Sequence, residues 1–190
     1  MSVINLGTKG ARVFWGEIAP TQHFAHFYLD DAMLLDTLTG FVGAGLDAGE
    51  TTIVIATLDH LRALRLGLSS FGVELERAVC EDRFVTLDAA TALTSFMVGE
   101  LPDEGLFNSF VDNLLHRASM NGTRVRAFGD MVALLWAAGL PEATVRLEAL
   151  WMEYCERHSF SLFCAYPRSG FTQESAKSFA EICALHSHIV

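Results

Sequence analysis

The residues that could do chemistry lie mainly where apolar runs of the sequence end. Tyr28 ends one such run, Asp130 follows another, and Cys164 and Tyr166 belong to a third, SLFCAY at 161–166. Cys164 and Tyr166 are two positions apart, so on a strand their side chains share one face. If these runs are parallel strands, their carboxyl ends meet at one edge of the sheet, where α/β folds bind ligands. The sequence therefore predicts a ligand site around these side chains.

Two of these residues have more than one interpretation. A lone cysteine such as Cys164 is a reactive thiol, a soft ligand or a small buried hydrophobe. A nucleophilic thiol needs a base within hydrogen-bonding distance, and no spacing in the sequence supplies one. An acid that follows a strand, as Asp130 does, either serves a site or caps the next helix. An enzyme that uses Cys164 as a nucleophile, or a remnant of phosphoryl chemistry, stays open as an alternative.

The seven histidines and four cysteines form no metal-binding motif. There is no C-x-x-C pair and no H-E-x-x-H, so the sequence predicts no metal and no other cofactor. His23 and His26 would point to opposite faces of one strand and cannot form a site on that strand alone. Scattered cysteines are typical of a reducing compartment, which predicts a cytoplasmic protein.

The elements that must hold these residues alternate between strands and amphipathic helices. Five runs are predicted strands: 23–29, 51–57, 83–88, 124–128 and 161–166. A helical pattern follows each of them, and such alternation gives right-handed crossovers between parallel strands. We therefore expect an α/β fold with a mostly parallel sheet of about five or six strands and helices on both faces.

One domain is expected over residues 23–190, with residues 1–22 as an N-terminal arm or, at 11–15, an edge strand. The third helix is predicted to carry Leu93, Phe96, Met97 and Leu101. No internal repeat or linker interrupts the pattern, and 190 residues suit one ordinary domain.

The turn after the first predicted strand lacks the residues that hold phosphate. A phosphate-binding loop needs glycines, whose backbone N–H groups face the phosphates, and a lysine. Here the turn contains Asp30 and Asp31, and neither a glycine nor a lysine. The glycines of GFVGAG (40–45) come late in a predicted helix, where small residues allow close packing on the sheet. The sequence thus predicts the layout of a nucleotide-binding fold without nucleotide binding.

Charge and hydropathy exclude several classes of partner. The net charge is -10 with only 13 basic residues, which argues against direct nucleic-acid binding. No apolar run reaches the roughly 20 residues of a membrane helix, and the first residues do not have the pattern of an export signal. Trp15, Trp136 and Trp151 could bury an aromatic patch between two copies, so a homodimer is expected.

From His23 to the C-terminus the sequence resembles a known family, the methanogen/methylotroph DcmR-type sensory (MEDS) domain. Six segments carry the resemblance: HFAHFYLDDAMLL, GLDAGETTIVIAT, RVRAFGDMVALLWAAG, LEALW, FSLFCAYP and ICALHSH. Each pattern is soft when taken alone, but their order and spacing together make the match specific.

The resemblance implies a divergent RecA/KaiC-like fold that has lost its phosphate loop. It implies a sensor of small organic molecules, with a histidine kinase or a transcriptional regulator as its signalling partner. The family's characteristic histidine, cysteine and late histidine fall on His23, Cys164 and His186. The family more often has Glu where this chain has Asp130. We see no output domain in the sequence, so the module is expected to act on another protein.

Together these arguments predict a non-catalytic sensor of a small organic molecule. The predicted ligand-binding residues are His23, Tyr28, Asp130, Cys164, Tyr166 and His186. His23 begins its predicted strand whereas Cys164 lies near the end of its own, which argues against one shared pocket. Besides the enzyme, a structural adaptor whose pocket is filled by its own side chains is an alternative.

Overall fold

In the part of the chain that the structure describes, the main sheet has six parallel strands. The structure, a computed structural model, describes residues 15, 18–19, 21–70, 72–120, 122–171 and 175–190. The strands of this sheet are β1 (His23–Tyr28), β2 (Thr51–Ala56), β3 (Phe84–Asp88), β6 (Val125–Gly129), β7 (Ser161–Pro167) and β8 (His188–Ile189). Their order is β3-β2-β6-β7-β1-β8. Two shorter strands, β4 (Met97–Val98) and β5 (Leu101–Pro102), form a separate antiparallel hairpin.

Helices cover both faces of the sheet, as the sequence predicts. They are α1 (Asp31–Asp47), α2 (Leu58–Ser70), α3 (Leu75–Cys80), α4 (Ala89–Thr94), α5 (Glu104–Ser119), α6 (Met131–Ala137), α7 (Pro141–His158) and α8 (Ala176–Ala184). The first three share one apolar layer, and the other five pack in a second layer on the opposite face. The α/β fold with a parallel sheet is thereby confirmed. Among the described residues no helix is long and apolar enough to cross a membrane.

Helix α1 shows why the sequence folds as predicted at the carboxyl end of β1. Asp30 is its N-cap, and the carboxylate accepts a hydrogen bond of 2.9 Å from the amide of Met33. The glycines of GFVGAG lie inside this helix and face its neighbours. A Cβ on Gly45 would come within 3.0 Å of the side chains of Thr52 and Arg126, so a larger residue does not fit there without displacement. The motif is a packing feature.

Two details of the sequence interpretation are wrong, and two elements were missed. The third helix ends at Thr94 and does not extend to Leu101, because Gly99 (φ 64°) forms the turn of the β4–β5 hairpin. Phe96 reaches the core from the loop before that hairpin, which mimics helical spacing. Trp15, Trp136 and Trp151 are buried within the chain and do not form a surface patch. Strand β8 and helix α3 were not predicted.

Two other expectations are untested by the fold. The proposed edge strand at 11–15 falls, apart from Trp15, outside the described residues. The homodimer stays a prediction, although its aromatic-patch argument is removed by the burial of the tryptophans.

Candidate functional site

Four side chains with metal-ligating or acid–base chemistry meet between the sheet and helices α7 and α8. His23 begins β1, Glu148 lies in α7, Cys164 lies in β7, and His186 follows α8. One potential ligand atom from each side chain can be chosen so that the four atoms all lie within 4.8 Å of one another. We call these four residues the quartet. Their side chains are almost completely buried.

The contacts inside the quartet are short and polar. His23 Nε2 lies 3.4 Å from Cys164 Sγ and 3.2 Å from Glu148 Oε2. His186 Nε2 lies 3.4 Å from Glu148 Oε1, and the two imidazole ring centres are 4.0 Å apart. The hydroxyl of Tyr166 donates a hydrogen bond to Glu148 Oε1. One carboxylate therefore joins both histidines and the tyrosine.

Strand register explains why His23 and Cys164 share a site, contrary to the sequence expectation. In the parallel pair of β1 and β7, His23 is opposite Leu162, so Cys164 is only two residues further along the neighbouring strand. Residues two apart on a strand share a face, and a diagonal neighbour lies within reach of a histidine side chain. Counting residues from the start of each strand did not predict this contact, because β7 begins one residue before the partner of His23 in this register.

Burial and charge set the protonation of the quartet. Burial alone would raise the pKa of Glu148, but His186 and His23 outweigh it and hold that pKa below its ordinary value. Burial would lower the pKa of His186, yet Glu148 raises it overall. Burial, assisted by His186, lowers the pKa of His23. This arrangement favours an ionised Glu148 beside a neutral His23.

The thiol of Cys164 is protonated in this environment. Burial and the nearby carboxylate of Glu148 raise the pKa of Cys164 well above its ordinary value. The same two causes raise the pKa of Tyr166. Because the thiolate is the nucleophilic form, Cys164 is not activated as a nucleophile by the protein groups around it.

The quartet does not satisfy its own hydrogen-bonding capacity. Glu148 Oε2, His186 Nε2 and His23 Nδ1 are buried and have no hydrogen-bond partner among the described residues. The 3.2 Å contact between His23 Nε2 and Glu148 Oε2 is close but lacks hydrogen-bond geometry. Buried polar atoms in proteins nearly always have partners, so several unpaired atoms at one place need an explanation.

The other predicted residues, Tyr28 and Asp130, belong to a second cluster at the carboxyl edge of the sheet. Asp130 Oδ2 accepts hydrogen bonds from His60 Nδ1 (2.8 Å) and from the amide of Thr57 (3.2 Å). His60 Nε2 also lies 3.7 Å from a carboxylate oxygen of Asp31. Asp130 occupies the N-cap position of α6, but its side chain makes no capping hydrogen bond. It positions His60 instead.

Tyr28 is on the opposite face of β1 from the quartet, in the apolar layer formed by α1 and α2. Burial, together with Asp31 and Asp130, raises the pKa of Tyr28 to about 12. The predicted site therefore separates into two groups. The structure brings His23, Cys164, Tyr166 and His186 together, and it places Tyr28 with Asp130 elsewhere.

Sequence reasoning missed Glu148 and His60. Glu148 has a signal in the sequence: it is an acid on the buried stripe of α7, between Thr144 and Trp151. Acids are almost never fully buried unless paired, so this position could have been singled out. His60 follows β2 in the first turn of α2, near the carboxyl edge of the sheet, but nothing in its spacing points to Asp130.

Comparisons with known proteins agree with the fold and with the resemblance. No curated protein matches the chain. A solved structure, the KaiC-like protein PH0186 from the hyperthermophilic archaeon Pyrococcus horikoshii OT3, is similar with a TM-score of 0.59 at 13% identity. The alignment covers 90% of this chain and 71% of that chain, and it supports the KaiC-like fold alone. The model of the methanogen/methylotroph DcmR sensory domain matches residues 22–187. Because this match spans most of the chain, the protein belongs to the MEDS domain family.

Proposed function

We propose that the domain is a non-catalytic sensor that receives a small organic molecule at the quartet and transmits the event to a partner protein. Membership of a sensory-domain family supports the sensory role. The observation that carries the finer proposal is the quartet itself, a buried polar group with unpaired atoms inside an apolar layer. Such a group is costly to fold and gains its partners when a ligand arrives.

The two alternatives fit these observations less well. A purely structural adaptor would gain stability from apolar side chains in place of a buried, incompletely paired cluster. An enzyme with Cys164 as nucleophile needs a thiolate, and the raised pKa of Cys164 opposes one. A site that binds a ligand at the quartet without covalent chemistry does not need a thiolate, and its ligand accounts for the incompletely paired polar atoms.

The C-terminal segment, residues 175–190, is suited to transmit the signal. It contributes His186 to the quartet, and its strand β8 is the exposed edge of the sheet. The amides of Ser187 and Val190 donate to the carbonyls of His23 (2.8 Å) and Ala25 (2.9 Å), and the Ser187 hydroxyl accepts from the amide of His23 (2.9 Å). His23 therefore both lines the site and holds this segment.

A ligand that contacts both histidines would change how firmly the C-terminal segment is held. If the ligand binds more tightly when the segment is in one of two conformations, it shifts the population of the protein toward that conformation. The edge of a sheet offers unpaired backbone groups to a partner. We propose that the partner, a histidine kinase or a transcriptional regulator as in the family, recognises this edge in one of its two states.

Hydrogen exchange and thermal unfolding in the presence of small organic molecules test the proposal. The family description refers to methanogens and methylotrophs, so the first probes are one-carbon compounds such as methanol and methylamine. An effective probe should slow exchange of the Ser187 and Val190 amides and raise the melting temperature of the wild type. A probe at 100 times its Kd adds about 2.7 kcal/mol to the free energy of unfolding.

The matched variants are Cys164→Ala and Cys155→Ala. Both cysteines are buried in the same apolar layer, but Cys155 donates to the carbonyl of Phe160 and lies outside the quartet. Each change should cost on the order of 1 kcal/mol or more as a core truncation. Only Cys164→Ala should abolish the response to the probe. An equal response in both variants, or no response of the wild type to any probe, would contradict the proposal.

A further inference from the structure

We infer that the quartet binds one divalent transition-metal ion of the borderline class that includes Zn²⁺, Fe²⁺ and Co²⁺. The proposed ligand atoms are His23 Nε2, His186 Nε2, Cys164 Sγ and a carboxylate oxygen of Glu148. This inference rests on the proposed function in one respect, because the ion would be the group that receives the organic molecule.

Distances between the ligand atoms match a tetrahedral site. Bonds of about 2.0 Å to nitrogen or oxygen and 2.3 Å to sulfur place the ligand atoms of a tetrahedral site with one sulfur roughly 3.3–3.5 Å apart. The contacts of His23 Nε2 with Glu148 Oε2 and Cys164 Sγ are 3.2 and 3.4 Å, and that of His186 Nε2 with Glu148 Oε1 is 3.4 Å. The two contacts of His23 Nε2 thus have the spacing of a coordination shell, whereas the contact of His186 runs to the other carboxylate oxygen of Glu148. The full set of ligand atoms lies within 4.8 Å, so it would tighten around a bound ion.

The orientation of His186 fits a metal ligand. Its Nδ1 lies 2.7 Å from the carbonyl oxygen of Ile182, so Nδ1 carries the proton and donates it. Nε2 then faces the Glu148 carboxylate at 3.4 Å without the geometry of a hydrogen bond. A second proton on His186 makes this contact attractive when no metal is bound, and a metal ion would take the place of that proton. A backbone carbonyl on the far ring nitrogen is the usual support of a metal-bound histidine.

Tyr166 supplies a second supporting contact. Its hydroxyl donates to Glu148 Oε1 from the same face of β7 that carries Cys164. Such a hydrogen bond orients a ligating carboxylate and leaves its other oxygen free. That other oxygen, Glu148 Oε2, is the buried atom without a partner among the described residues.

The charges of the four side chains also suit a dication. Metal binding would displace the proton of the Cys164 thiol and any second proton of His186. With Cys164 then a thiolate, Glu148 ionised and both histidines neutral, the protein would contribute two negative charges, and a divalent ion would make the site neutral. Neutrality matters because the site is buried and an uncompensated charge there is costly. The mixture of sulfur, nitrogen and oxygen ligands favours this metal class over Mg²⁺ or Ca²⁺, which prefer oxygen ligands.

A site of this kind can open as well as bind. Three ligands come from β1, β7 and α7, which belong to the packed core, whereas His186 is on the C-terminal segment. Release of His186 would leave three protein ligands and one open position, the arrangement that admits an external molecule. The movement of the C-terminal segment would then be coupled to occupancy of the metal.

The test is metal binding by the full chain. We expect about one Zn²⁺ per chain by elemental analysis, and Co²⁺ substitution should produce a thiolate-to-cobalt charge-transfer band with tetrahedral d–d absorption. Cys164→Ser should remove the charge-transfer band, and His186→Ala should weaken Co²⁺ binding at least tenfold. Cys155→Ala and His26→Ala, the latter from the opposite face of β1, should leave the band unchanged.

The outcomes separate the inference from the proposed function. Less than stoichiometric Co²⁺ uptake by the wild type, or a band that survives Cys164→Ser, would overturn the metal site. Wild-type spectra serve even if a variant fails to fold, because the charge-transfer band alone reports a cysteine ligand. A bound metal without any response to organic probes supports the site and refutes the sensor. A response to organic probes by a protein that binds no metal refutes the metal site and supports the sensor.

Discussion

Each of the two polar clusters pairs carboxylates with histidine side chains, and the environments differ. His60 is partly exposed and makes a hydrogen bond of 2.8 Å to Asp130, which is buried. Glu148 is fully buried and has two histidines within 3.4 Å. An acid near water can be solvated, whereas a buried acid depends on its protein partners. The outer pair is therefore the one whose titration is accessible to a simple measurement.

Stability should depend on pH through His60. The hydrogen bond to Asp130 raises the pKa of His60, against the effect of burial and with help from Asp31. A folded-state pKa above the unfolded value stabilises the fold below the unfolded pKa, about 6.5, and this contribution is lost as pH rises through the folded pKa. The difference in unfolding free energy between wild type and His60→Gln should thus be fully present below about pH 6.5 and shrink as the pH rises above it, through the raised pKa of folded His60.

Urea unfolding at several pH values checks this. The difference should be about 1 kcal/mol or less at the acidic end, because solvent screens a partly exposed pair. In an Asp130→Asn background, the pH dependence of the His60→Gln effect should largely disappear. A difference that stays constant across the pH range would show that the pair does not titrate as described.

Single residues were predictable from sequence only where a pattern identified them. Strand alternation predicts that Cys164 and Tyr166 share one face of β7. The structure places both side chains in the same apolar layer. His23 and His186 came from the family resemblance, and nothing in periodicity joins them. Glu148 was missed because periodicity assigns a helix face but does not identify which strands that face covers.

At the scale of elements, the strands of the sheet were predictable and the short connections were not. β2 is apolar and buried along its whole length, which its β-branched run predicts. The hairpin of β4 and β5 and the edge strand β8 have two residues each, too few for a periodic pattern. β8 forms because its backbone pairs with β1, a contact that depends on tertiary structure.

The packing of α1 on the sheet gives a prediction for two glycines of one helix. Gly45→Ala should destabilise the protein by about 1–3 kcal/mol, because the added Cβ lies 3.0 Å from the side chain of Arg126. Arg126 is buried and forms an ion pair with Glu50, so it cannot move without disturbing that pair. Urea unfolding measures the effect.

Gly43→Ala is the matched control. Its Cβ would meet the nearest atom, of Leu68, at 3.7 Å, which is ordinary contact. The higher helix propensity of alanine should then make this variant as stable as the wild type, or more stable by up to about 1 kcal/mol. Equal stability of the two variants would contradict the close-packing interpretation of Gly45.

At the scale of the whole molecule, the chain keeps a KaiC-like fold with an altered carboxyl edge. The turn after β1 caps α1 through Asp30, and Asp31 faces His60. The net charge of -10 adds a long-range field that opposes anionic ligands. The turn at the carboxyl end of β1 therefore presents two carboxylates, and neither a glycine loop nor a lysine that could hold a phosphate.

MgATP should consequently fail to stabilise the protein. Binding at 100 times a Kd would add about 2.7 kcal/mol, and for a chain of this size each kcal/mol corresponds to roughly 2–4 °C in Tm. A thermal melt with millimolar MgATP should show no shift of that size.

The control is the double variant Asp30→Asn, Asp31→Asn, in which asparagine can still cap α1. Removing the two charges should not create binding, because the turn still has no glycine loop and no lysine. A rise in Tm for the wild type would refute the absence of a nucleotide site. A rise for the double variant alone would show that charge repulsion, rather than missing donors, is what excludes the nucleotide.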